Sequence, residues 1–138
     1  MHFELVTPEK VILKQEIDEL LVQTPKGQIA ILPHHAQLLT KVLPGEMVVK
    51  VNGKEEFLAV TGGFLEVSDN KITLLADYAV RSHEIEVEKA LKARDRAQEI
   101  LKKKEETISD RDLALAEGEL RRSILELHVA NKRKKQRV

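Results

Sequence analysis

The chain changes character abruptly near His83, and that change constrains its fold more than any other feature. All four prolines, all four aromatic residues (Phe3, Phe57, Phe64, Tyr78) and five of the six glycines lie before it. Of the 55 residues after it, 27 are charged, and Ala, Leu, Glu, Lys and Arg dominate. Aromatics and turn formers favour strands and tight connections; the second composition favours helix. The 138 residues are therefore expected to form two domains, an antiparallel β-sandwich over 1–83 and an α-helical hairpin over 84–138.

Short strand-like runs separated by turn signals fill the first part. They are His2–Val6, Val11–Ile17, Glu19–Thr24, Gln28–Leu32, Leu39–Val42, Glu46–Val51, Lys54–Val60, Phe64–Ser68 and Lys71–Ala76. Asn52-Gly53 predicts a type I′ hairpin, because both residues tolerate the positive φ whose twist matches right-handed strands. Asp69-Asn70 predicts a similar turn, and Lys26-Gly27 and Pro44-Gly45 mark two more.

The second part reads as two helices. Ile85, Ala90, Ala93, Ala97 and Ile100 or Leu101 fall on one stripe from about Glu84 to Lys104. Leu113, Ala116, Leu120, Ile124 and Leu127 fall on another from about Asp110 to Lys134. Steps of three and four align these side chains along one seam. Between the helices, Glu105 to Asp110 is a polar link, and Ser109 or Asp110 caps the second helix. So short a link predicts an antiparallel hairpin. Its alanine-rich seam removes little apolar area, so docking of the two helices is expected to be marginal. Gly118 either lowers helix stability by about 1 kcal/mol relative to Ala or serves a close backbone approach.

Several function classes are excluded. The 23 basic residues balance the 23 acidic ones, so bulk charge does not draw the chain to nucleic acid or anionic lipid. There is no cysteine, hence no disulfide, thiolate metal site or thiol nucleophile. Apolar runs are far too short for a membrane span, and Met1 to Leu5 lacks the character of a secretory leader. The expectation is a soluble, unexported protein that meets a membrane only through a partner. No nucleophile–base constellation is present, and Asp77, His83 and Glu84 suit hinge or capping roles at the domain junction. Adjacent His34 and His35 would point to opposite faces of a strand, a poor metal site. From the residues alone a second reading stays open: a ligand-binding sandwich that dimerises through Leu113, Leu120 and Leu127.

Four segments in order carry a family likeness. Thr24-Pro25-Lys26-Gly27-Gln28-Ile29-Ala30-Ile31-Leu32-Pro33-His34-His35-Ala36 is followed by Leu38-Leu39-Thr40 and Leu43-Pro44-Gly45. Next come Thr61-Gly62-Gly63-Phe64-Leu65-Glu66-Val67 and Lys71-Ile72-Thr73-Leu74-Leu75-Ala76-Asp77. With the charged hairpin behind them, they resemble the epsilon subunit of bacterial-type F-type ATP synthases across nearly the whole chain. The resemblance implies a non-catalytic, monomeric rotor subunit held peripherally at the cytoplasmic face of the cell membrane. It would link the γ subunit to the c-ring of a proton- or sodium-driven complex, and its hairpin would inhibit ATP hydrolysis.

The resemblance also implies site residues. Gln28 and His35 become contacts to the c-ring, within a loop from Gln28 through Leu39 at one end of the sandwich; the family often has an acidic residue where Gln28 stands. Some members bind regulatory ATP on the hairpin through an Ile/Leu-Asp-x-x-Arg-Ala motif. Here that run is Ile85-Glu86-Val87-Glu88-Lys89-Ala90, with Arg96 and Arg122 matching two further arginines and Glu126 replacing a third. Lys89 lacks the planar fork of arginine, and spaced i, i+3 it also suits a plain surface pair with Glu86. The nucleotide is thus expected to bind weakly, and no cofactor is otherwise required. Arg121, Arg122, Lys132, Arg133, Lys134 and Lys135 become contacts to the α and β subunits. The bland alternative for the tail through Arg137 is a solvated helix end whose charge suits the negative terminal dipole. Gly62-Gly63 reads as a backbone requirement rather than a phosphate loop.

Overall fold

The computed structural model describes residues 1–103 and 109–136, with side chains through Lys132. It divides into two compact units, Met1–Ser82 and His83–Val138. In the first unit lie strands β1 (His2–Val6), β2 (Val11–Glu16), β3 (Glu19–Thr24), β4 (Gly27–Ile31) and β5 (Leu38–Val42). They are followed by β6 (Gly45–Val51), β7 (Lys54–Val60), β8 (Gly63–Ser68), β9 (Lys71–Ala76) and β10 (Ala79–Arg81). These form two five-stranded sheets, ordered β2-β1-β9-β8-β5 and β10-β7-β6-β3-β4. Every pairing is antiparallel except β1 with β9.

Alternation builds the core between the sheets. Phe3 and Leu5, Leu20 and Val22, Leu65 and Val67, and Ile72 and Leu74 turn inward and are buried, joined by Met47, Val49, Leu58 and Val60. At about 1.5–3 kcal/mol for each large side chain removed from water, this layer dominates the stability of the unit. The predicted turns supply the left-handed residues: Asn52 and Gly53 have φ of 52° and 77°, and Asp69 and Asn70 have 51° and 60°. Buried Thr24 closes the β3–β4 turn by donating its hydroxyl to the Gly27 carbonyl at 2.7 Å. Strand β10 escapes the sequence pattern, since three residues show no periodicity and only pairing with β7 defines them.

Gly62-Gly63 is a backbone requirement, as expected. Gly62 has φ of 122°, and a Cβ on Gly63 would stand 2.1 Å from the Leu75 carbonyl oxygen. Strands β8 and β9 approach there too closely for any side chain.

The second unit differs from expectation at its start. Residues Ser82–Glu84 form one 3-10 turn, and helix α1 spans Val87–Lys102 rather than beginning at Glu84. Glu86 is the N-cap, with extended φ and ψ of −89° and 100°. Helix α2 spans Asp110–Gln136 and packs on α1. Ser109 caps it, its hydroxyl accepting from the Asp112 amide at 3.1 Å. The link residues Glu105 to Ile108 lie outside the described residues. In α1, Ala90 and Ala97 are buried and Ala93, Ile100 and Leu101 half-buried. In α2 the stripe runs through Leu113, Ala116, Leu120, Ser123, Leu127 and Ala130; Ile124 is exposed, contrary to expectation. Both 123 and 124 satisfy helical spacing after Leu120, and the small Ser123 takes the seam. Its hydroxyl donates to the Glu119 carbonyl at 2.7 Å, so its burial leaves no donor unmade. A Cβ on Gly118 would meet nothing within 4 Å, so no close backbone approach explains that glycine.

Candidate functional site

The outer face of the sheet containing β1 holds the most distinctive surface of the sandwich. Core residues point inward at alternate positions, so their neighbours point out. The pairings Lys41–Phe64, Phe64–Leu75, Leu75–Val6 and Val6–Val11 align one row across all five strands. Phe64, Leu75 and Val11 are 62%, 58% and 57% exposed, and Leu39, one row over on β5, is 75% exposed. Isolated exposed apolar residues need no explanation, but a contiguous row marks an interaction surface. Sequence reading missed this row. Its one local signal is the apolar doublets Leu38-Leu39, Phe64-Leu65 and Leu74-Leu75, where strict alternation would put a polar residue outside.

The row beside it is ionic. His2 on β1 brings Nε2 to 3.2 Å from the Glu4 carboxylate and Nδ1 to 3.0 Å from Glu16 on β2. Lys71 and Lys14 stand 3.6 and 3.7 Å from the same Glu4 oxygen. The hydrogen bond from His2 holds the Glu4 carboxyl below the usual range; burial opposes it, and the charges of Lys71 and Lys14 add to it.

The expected contact residues are not brought together. Gln28 lies in β4 opposite Gln23, next to the β3–β4 turn. His35 lies in the loop between β4 and β5, at the end where the His34 amide donates to the Asn70 side chain at 2.8 Å. The supposed loop from Gln28 through Leu39 is thus a strand, a loop of residues 32–37, and the start of β5. Strand rise puts Gln28 about 10 Å from Ile31, the far end of β4, so Gln28 and His35 stand at opposite ends of the sandwich. His34 and His35 are in a loop rather than a strand, with His34 at φ of 65°. Among the described residues no cluster of His, Cys, Asp and Glu could hold a metal.

On the hairpin, each nucleotide-motif residue is engaged or exposed on its own helix. Lys89 pairs with Glu86 at 3.0 Å, the surface pair that i, i+3 spacing permits. Arg122 pairs with Glu126 at 3.2 Å. Arg96 is exposed, two turns beyond Lys89 on the same face of α1 and about 10 Å from it. Arg121 and Lys132 are exposed on α2. Arg133, Lys134 and Lys135 fall in its last turns with side chains outside the described part, and Arg137 lies outside the described residues. No helix among the described residues is long and apolar enough to cross a membrane.

Comparison with known proteins matches both halves. Residues 1–82 match the family described as ATP synthase, Delta/Epsilon chain, beta-sandwich domain. Residues 83–131 match ATP synthase, Delta/Epsilon chain, long alpha-helix domain. The ATP synthase epsilon chain of Herpetosiphon aurantiacus is 40% identical over 134 residues, covering 97% of this chain and 96% of that protein. The epsilon chain of Nitratidesulfovibrio vulgaris is 37% identical over 129 residues, covering 94% of both. Among solved structures, a chain of the Euglena gracilis mitochondrial ATP synthase (OSCP, F1 and c-ring) superposes with a TM-score of 0.68 at 26% identity, covering 94% of this chain and 79% of that one. A chain of the Tetrahymena thermophila central stalk and c-ring shares the fold, with a TM-score of 0.59 at 18% identity over 94% of this chain and 96% of that one.

Proposed function

The chain belongs to the ATP synthase delta/epsilon chain family, and from that membership we propose that it works as a torque-bearing clamp with a releasable brake. Its relatives are epsilon chains, non-catalytic subunits of ATP synthase. In this reading the sandwich grips the γ subunit with the apolar row of Phe64, Leu75, Val6 and Val11 and rests one end on the c-ring. The row is the observation that carries the reading: it is contiguous, lies on a sheet with a stiff core, and would bury its area against a partner. Because Gln28 and His35 stand at opposite ends, the ring contact takes one of them. Coupling to a flow of protons or sodium ions, and a place on the cytoplasmic face of the cell membrane, follow from assembly rather than from any property of this chain alone.

The hairpin is the brake. An alanine-lined seam opens at low cost, and α2 then extends among the α and β subunits, where Arg121, Arg122 and the basic end from Lys132 to Lys135 meet acidic surface and stop hydrolysis. A regulatory ATP on the hairpin is the weaker part of the reading, since polyphosphate must displace Glu86 from Lys89 and Glu126 from Arg122.

One reconstitution separates these parts. With α, β and γ subunits and the c-ring, the full chain should bind and lower ATP hydrolysis, and a chain ending at Ser82 should bind without lowering it. A Val11→Glu, Leu39→Glu double variant should lose binding. Equal hydrolysis with the full and shortened chains would remove the brake, and undiminished binding of the double variant would remove the docking face. Relief of inhibition by millimolar ATP, abolished by Arg122→Ala, is the outcome that supports nucleotide control; its absence removes that part alone.

A further inference from the structure

Three of the row's four apolar residues, Val6, Phe64 and Leu75, line a groove whose shape and rim charges the docking reading does not itself specify. It is an open cavity of about 630 Å³ at the end of the sandwich near Gly62, walled by Val6, Pro44, Phe64 and Leu75 and floored by Val42 and Gly62. The groove is preformed. The Thr61 amide donates to the Tyr78 carbonyl at 3.1 Å and the Asp77 amide to the Gly62 carbonyl at 3.2 Å, which ties the β7–β8 connection to the β9–β10 connection behind it. Gly62 is held at a φ of 122° that side chains rarely adopt, and a Cβ there would crowd the Val42 carbonyl at 3.3 Å. A preformed apolar slot costs a partner little ordering, which is how interfaces seat an anchoring side chain.

Its rim carries one cation and one anion. Lys41 on β5 and Asp77, just past β9, both line the groove and are both exposed. Among the described residues neither side chain makes an ion pair or a hydrogen bond. They stand two strands apart, about 10 Å across the sheet, too far to neutralise each other and the right span to bracket one side chain. On the same face Glu4 is paired with His2, Lys14 and Lys71, and Glu16 with His2, while Glu66 on β8 is exposed one row from the groove and makes no ion pair among the described residues. Of the charges that line the groove itself, Lys41 and Asp77 give it a direction, positive on the β5 side and negative on the β9 side.

We infer that this groove seats an extended segment of the subunit docked on the sheet, with an apolar side chain in the slot, an acidic residue against Lys41 and a basic residue against Asp77. The inference rests on the docking reading above and adds the chemistry and polarity of what is bound. A charged rim around an apolar anchor sets orientation and partner choice more than bulk affinity.

The test uses the full chain and an assembly of α, β and γ subunits, with affinity measured at low and high salt. Lys41→Glu and Asp77→Lys should each weaken binding about tenfold or more at low salt. The Lys41→Gln, Asp77→Asn double variant should lose much of the wild type's salt dependence. Both residues are exposed and free of side-chain bonds, so thermal melting should not move, which separates the effect from unfolding. The Val11→Glu, Leu39→Glu variant, outside the groove, reads the docking face independently. If it fails to bind while the charge variants bind as wild type does, the face stands and the groove assignment is overturned. If only the charge variants weaken binding, docking is confined to the groove end of the face, and Val11 and Leu39 lie outside it. If none weakens it, both fall.

Discussion

The sandwich and the hairpin are held together by different kinds of side chain. Between the two sheets the buried residues are large: Phe3, Leu5, Leu20, Ile31, Leu58, Leu65, Ile72 and Leu74 are all fully enclosed. Along the two helices the buried positions are small, chiefly Ala90, Ala97, Ala116, Ser123 and Ala130, with Val129 the largest on α2; the larger Ile85 is buried just ahead of α1. Enclosing a leucine contributes about 1.5–3 kcal/mol and a single methyl roughly 0.8. Each step apart along the seam therefore costs far less than any breach of the sandwich. Such a pairing makes the sandwich the stiff body of the chain and the hairpin its more loosely held arm.

The contrast can be broken most severely at Gly63. Its replacement by alanine drives a methyl into the Leu75 carbonyl, where backbone rather than a flexible side chain must move. We expect a loss of about 3 kcal/mol or more in urea unfolding, with the helices spared. A melt within a few degrees of wild type would mean that β8 and β9 can part, and that the body is softer than its packing implies.

A matched pair of truncations sharpens the difference next. Leu65→Ala empties a fully enclosed site and should cost about 2–5 kcal/mol. Leu120→Ala, at a half-buried seam position, should cost about 1 kcal/mol and raise amide exchange mainly in α2. Equal costs for the two would erase the distinction between body and arm.

The smallest effect is electrostatic and confined to the sandwich. The bond from His2, helped by Lys71 and Lys14, depresses the Glu4 pKa in the folded state. A depressed carboxyl contributes stability above its unfolded pKa, and that contribution fades as pH falls through the folded value. Glu4→Gln should thus be less stable than wild type at neutral pH, with the gap closing in acid. A gap that stays constant from neutral to strongly acidic pH in urea titrations would show that the cluster adds nothing through ionisation.

Legibility in the sequence followed the range of the interaction that decides each feature. Strands β1 to β9 and their I′ turns were readable because period-two alternation and Asn52-Gly53 act within a few residues. Strand β10 was not, since three residues take their conformation from β7. The start of α1 was read too early: Ser82–Glu84 has helical composition but closes a single tight turn, and Glu86 is extended. Ile124 and Ser123 are both one helical step from Leu120, and only contact with α1 selects the smaller. His34 and His35 fall outside the strands read from sequence, and the structure likewise puts them in the loop between β4 and β5.

By itself the sequence determined the class of each half, the point near His83 where one gives way to the other, and the family to which both belong. The first two follow from composition, local periodicity and turn chemistry, which neighbouring residues settle among themselves; the family follows from the four ordered segments that resemble it. Only the tertiary structure decided that Phe64, Leu75, Val6 and Val11 form one row, that Gln28 and His35 part to opposite ends, and that Lys41 faces Asp77 across a groove. Each depends on the register of strands far apart in the chain, and register is fixed by how two sheets share one core.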